Sequence, residues 1–99
     1  MNKMNKKNLI IKIQEYCEYY ETEFVNHLDL VDMICVEMFN KHAFSTDKYG
    51  KINSYCISQN EADCIKDFLN YMQLRDVIVR KPKTFKIMPK LLNYRGVLK

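Results

Sequence analysis

A chain of 99 residues, nearly half of them apolar, is long enough to bury a core in one domain and too apolar to remain disordered. It has no run of eighteen apolar residues, which excludes a membrane-spanning helix, and only two glycines and two prolines, which argues against a turn-rich β-sandwich. The net charge of +4 is unevenly distributed: residues 1–13 carry four lysines and no acid, residues 14–47 eight acids against Lys41 alone, and residues 48–99 eleven basic residues against four acids. An acidic and a basic surface are therefore expected on one small body, and the basic one would steer toward phosphate.

The four cysteines, Cys17, Cys35, Cys56 and Cys64, form no Cys-x-x-Cys pair. They read as free thiols in a reducing compartment rather than as zinc ligands or a disulfide framework, so no metal and no cofactor is expected. The N-terminal apolar run at Leu9-Ile10-Ile11 is broken by Lys12, too soon for a secretory segment, and a cytoplasmic protein is expected. Nine asparagines with abundant Lys, Ile and Tyr fit an AT-rich coding sequence, such as that of a mobile element.

Taken in order, residues 1–7 read as a basic solvated tail or first turn, with a phosphate-touching arm as the alternative. Leu9, Ile10, Ile13, Tyr16, Cys17 and Tyr20 recur at helical spacing and predict a first helix from Asn8 to near Glu21. Tyr16, Tyr19 and Tyr20 supply more aromatic surface than a small core requires. They either pack on the next helix or line the seam of a homodimer formed through the N-terminal helices. A second helix, from around Thr22–Asn26 to about Lys41, is apolar on nearly all sides and is expected to be the spine of the fold. Residues 43–57 admit two readings. One is a loop with a short strand at Tyr55–Ile57. The other is a short helix over 46–55, capped by Thr46 or Asp47, with Tyr49, Ile52 and Tyr55 facing inward.

Ser58 followed three residues later by Glu61 is a capping box. It opens a third helix whose inner face is Ala62, Ile65, Leu69 and Met72, widened by Phe68. The period then changes. Val77, Ile78 and Val79 are β-branched, Arg80-Lys81-Pro82-Lys83 has turn chemistry, and Thr84 to Met88 alternate up to Pro89, which together predict a basic two-stranded hairpin. Leu91, Leu92, Tyr94, Val97 and Leu98 predict that residues 90–99, a short helix or tail, pack back on the domain or on a second subunit.

Over residues 46–89 the chain resembles the winged helix-turn-helix family. Ile52 and Tyr55 stand where that family has its first helix, Ile57 in the turn, Ser58 and the residues after it in the recognition helix, and Val77–Arg80 with Phe85–Met88 in the wing strands. The chain departs from the family pattern at Cys56 and at Leu74-Arg75-Asp76, where glycines are common. The resemblance implies one mainly α domain over residues 1–99: two N-terminal helices, a short helix, a third helix and a small β-hairpin. It further implies a double-stranded DNA partner and a role in transcription or replication control. Gln59, Asn60 and Lys66 would read bases, and Arg80, Lys81, Lys83 and Lys86 would hold phosphate. Glu61, Asp63 and Asp67 oppose that reading by their charge. They favour the alternative of a protein-binding adaptor or inhibitor with the same fold, docking an acidic surface on a basic partner. No phosphate-binding glycine loop, nucleophile elbow or His-x-x-x-His pair is present, so an enzyme is not expected.

Overall fold

The computed structural model describes residues 5–95. Its elements are α1 (Lys6–Tyr20), β1 (Phe24–Asn26), α2 (His27–Phe39), β2 (Phe44–Thr46), β3 (Ile52–Tyr55), α3 (Gln59–Leu74), β4 (Ile78–Lys81), β5 (Thr84–Ile87) and α4 (Pro89–Leu92). Side-chain oxygens start the three long helices. Asn5 Oδ1 accepts from the Asn8 amide, Asn26 Oδ1 from Leu28, and Ser58 Oγ from Glu61. The Glu61 carboxylate accepts the Ser58 amide in return, completing the expected box. Glu21 and Asn40 end α1 and α2 in the left-handed region, at φ 53° and 59°. Asparagine enters that region at low cost, whereas for glutamate it is less usual.

Three of these elements assemble a sheet of order β1-β5-β4, antiparallel throughout. Val25 stands opposite Phe85, and Ile78 opposite Ile87. One continuous core lies between this sheet and the helices: Leu9, Ile13 and Cys17 from α1, Leu30, Ile34 and Cys35 from α2, and Ile65, Leu69 and Met72 from α3 close on Val25, Ile78, Phe85 and Ile87. Among the described residues no polar side chain is buried and no buried side-chain nitrogen or oxygen lacks a partner. None of the described helices is long and apolar enough to cross a membrane.

Two expectations are corrected. Residues 24–26 do not open the second helix; they form β1, because Phe24, Val25 and Asn26 have backbone partners in Lys86, Phe85 and Thr84. Residues 46–55 are not a short helix. β2 and β3 form a separate antiparallel hairpin, with Phe44 opposite Tyr55 and the Ser45 and Ser54 hydroxyls 2.9 Å apart. Asp47 does cap, but it caps a turn: Oδ1 accepts from the amides of Tyr49 and Lys51, and Gly50 at φ 83° turns the chain back. Tyr49 and Tyr55, expected inward, are exposed. The helix before α3 is therefore α2, and the hairpin between them is anchored where the Cys56 amide donates to Ala43 O.

At the termini, Lys6 and Lys7 lie in the first turn of α1. Gln14 Nε2 donates to the carbonyls of Leu91, Leu92 and Tyr94, so the start of the C-terminal extension packs back as expected. Residues 1–4 and 96–99, including Val97 and Leu98, lie outside the described residues.

Candidate nucleic-acid interface

The β4–β5 ribbon turns over Pro82 and Lys83, with Lys81 paired to Thr84. Proline fixes the first corner, and Lys83 takes φ 66° at the second, a position most often held by glycine or asparagine. The tip is braced from below. The His27 amide donates to Lys83 O at 3.1 Å, and His27 Nε2 stands 2.9 Å from Thr84 O, so this nitrogen carries the proton. The imidazole also packs on Phe85, with ring centroids 4.3 Å apart. Phe85 is itself buried, so the turn carrying the positive charge is seated on the core.

Arg80, Lys81 and Lys83 are exposed, and none of them forms an ion pair among the described residues. The Arg80 guanidinium lies 5.9 Å from the Phe85 centroid, across the pair of strands. Lys86 differs. It points from β5 toward Glu23, 3.8 Å away, and is partly covered. Three of the four expected phosphate ligands therefore share the tip, and the fourth faces an acid.

The expected base-reading residues stand elsewhere. Gln59, Asn60 and Lys66 are exposed on the first half of α3. Gln59 Nε2 is engaged on Asp63 Oδ1 at 3.0 Å. Glu61 is held by the Ser58 amide and by Lys41 Nζ at 2.9 Å, and these partners keep its carboxyl below the usual carboxylate range. The hairpin tip meets the first residue of α2, whereas the start of α3 meets Lys41 just beyond the other end. A helix of 13 residues is about 20 Å long, so the two groups are not one cluster but the two ends of a span.

A second basic cluster was not anticipated. Lys6 and Lys7 of α1, Arg75 at the end of α3 and Lys90 of α4 surround the mouth of a groove of about 620 Å³. Lys90 Nζ donates to Arg75 O at 2.9 Å. Tyr71 lies at the same mouth, with Arg75 and Lys6 each a little over 5 Å from its ring centroid. The polar contact and charge of Arg75, then the charge of Lys6, hold its phenol below its ordinary range. In the sequence these residues are scattered from position 6 to position 90, and no local pattern joins them.

The histidines are structural. His27 braces the ribbon, and His42 Nδ1 contacts Asp32 Oδ2 at 2.9 Å. Among the described residues no group of three or more His, Cys, Asp or Glu side chains is placed to hold a metal ion. Comparison of the chain with known protein families, with curated proteins and with solved structures finds no match.

Proposed function

We propose that the chain is a small winged-helix-like regulator that binds double-stranded DNA, with the β4–β5 ribbon as its phosphate contact. The observation that carries this reading is the ribbon tip: Arg80, Lys81 and Lys83 are exposed, without ion pairs among the described residues, and mounted on a turn that His27 fixes. A rigid positive tip gains more from counterion release than a flexible one, because less side-chain and loop freedom is lost on contact. At the other end of the span from the ribbon tip, the capped start of α3 presents Asn60 and Lys66 for contacts in a groove, and Gln59 once it exchanges Asp63 for a base edge. Such a protein works in the cytoplasm, and the exposed Tyr19 and Tyr20 on α1 suit a homodimer seam.

The test is fluorescence anisotropy of labelled duplexes across a salt series. Micromolar or tighter binding at low salt is expected, falling steeply as salt rises. Each of Arg80→Ala, Lys81→Ala and Lys83→Ala should reduce the slope of log K against log salt by about 0.9. Absence of binding at about 50 mM salt, with the fold intact by circular dichroism, would refute the reading.

One observation favours the alternative of a protein-binding adaptor. The outer face of α3 carries Asp63 and Asp67 and, two turns beyond Asp67, Leu74, which is 84% exposed. That combination suits a basic, partly apolar protein surface better than a phosphate backbone. Salt-resistant capture of such a partner, lost in Leu74→Asp and unaffected by Lys81→Ala, would decide for it.

A further inference from the structure

The groove between α1, the end of α3 and α4 has an apolar floor and a positive mouth. Leu9, Ile13, Met72 and Leu91 on its floor are buried, and the half-buried Ile10, Phe68 and Val77 complete its walls. Among the described residues no carboxylate lines it. The first turn of α1 likewise contains no acid. Lys90 donates to the Arg75 carbonyl but keeps its charge, so Lys6, Lys7, Arg75 and Lys90 all place positive charge at the opening.

We propose that this groove is a binding site for a single-chain anionic amphiphile, with the acyl chain on the Ile10–Phe68 floor and the anionic head between Lys6, Arg75 and the Tyr71 hydroxyl. Charge complementarity selects the sign of the head, since the charged side chains at the mouth among the described residues, Lys6, Lys7, Arg75 and Lys90, are all basic. Size selects the class of ligand. About 620 Å³ falls in the range of small-molecule pockets, roughly 300–1,000 Å³, whereas a stable protein partner needs about 800 Å² of surface on each side. Composition separates the site from the ribbon tip, because the walls are aliphatic apart from Phe68 and the two tyrosines, Tyr71 and Tyr94. The site does not rest on the nucleic-acid reading.

The test is titration of the intact chain with octanoate, decanoate and dodecanoate below their micellar concentrations. Decyl phosphate and decanol run in parallel, and methyl and aromatic resonances are followed by NMR. Saturable shifts at Ile10, Ile13, Phe68 and Leu91 are expected. Each added methylene should tighten binding by up to about fourfold. Decanol should bind far more weakly, and the comparison of carboxylate with phosphate identifies the preferred head. The exposed double variant Lys6→Gln/Arg75→Gln should weaken the anions about five- to tenfold and leave decanol unchanged. The proposal is overturned if the carboxylates and the phosphate give no saturable shifts, or if decanol binds as well as decanoate. It is also overturned if duplex DNA displaces the amphiphile. Concentration-dependent self-association that Ile10→Glu abolishes, with no saturable amphiphile shifts at the groove residues, would assign the groove to a second copy of the chain instead.

Discussion

Replacing Asp32 by alanine removes the acceptor that holds the β2–β3 hairpin to α2. Asp32 Oδ1 accepts the amide of Ala43 at 2.7 Å, and Ala43 is only 1% exposed. The other oxygen contacts His42, whose side chain is 75% exposed, so that contact contributes little. The cost is therefore mainly that of a buried amide left without a partner, about 2 kcal/mol within a range of roughly 1–3 kcal/mol. For a domain of this size each kcal/mol lowers Tm by about 4–8 °C, so the expected fall is about 8–16 °C. Asp32→Asn keeps a carbonyl oxygen for the same amide and should cost less than about 1 kcal/mol, as should His42→Ala. Urea and thermal melts at neutral pH measure all three. If Asp32→Ala matched the parent, or if Asp32→Asn were as damaging as Asp32→Ala, the orphaned-amide argument would be wrong.

Burial and the hydrogen bond that the Tyr16 hydroxyl donates to Asp29 push this phenol from its ordinary 10.0 up to about 12. The folded chain therefore binds more protons than the unfolded chain between those values. The associated stability is complete below pH 10 and declines as pH rises toward 12, a slope that Tyr16→Phe should reduce in alkaline melts. Burial raises the thiols of Cys17 and Cys35, whereas Cys56 and Cys64 are exposed. A disulfide reagent at mildly alkaline pH should modify the latter pair in the native protein and the former only on unfolding. His27→Ala removes both the bond to Thr84 O and the packing on Phe85, a loss of about 1–3 kcal/mol. Amide exchange should then accelerate at residues 81–85, and unchanged protection there would show that the histidine is not a brace.

What was legible in the chain was whatever is encoded locally. Ser58 and Glu61 announce α3 because both halves of the cap lie within four residues. Val77 to Ile87 announce the ribbon because its strands are neighbours in sequence joined by a proline turn. Its edges shift by one residue: Ile78–Lys81 and Thr84–Ile87 pair, so Lys81 closes the ladder rather than lying in the turn. β1 was not legible, because a three-residue strand has no periodicity of its own and exists only through β5. Asp47 misled for a physical reason. An aspartate that accepts amides two and four residues ahead has the same chemistry at a helix start and at a hairpin turn, and the choice falls to Gly50. Where a glycine was missed at the end of α3, Asp76 takes the left-handed conformation instead, at φ 60°. Of the candidate site, the tip cations were legible as a dense local run. That Gln59 is engaged on Asp63, and that Lys6, Arg75 and Lys90 meet around one groove, are products of the tertiary fold.

The pairing of β1 with β5 also sets when this protein is able to fold. Val25 and Phe85 face each other across the ladder, so β1 finds its neighbour only after about sixty further residues have been synthesised. Closing a loop of about sixty residues costs roughly 3.6 kcal/mol of chain entropy before any ladder bond repays it. On the ribosome, Val25 of β1 therefore waits without its strand partner until β5 has been made.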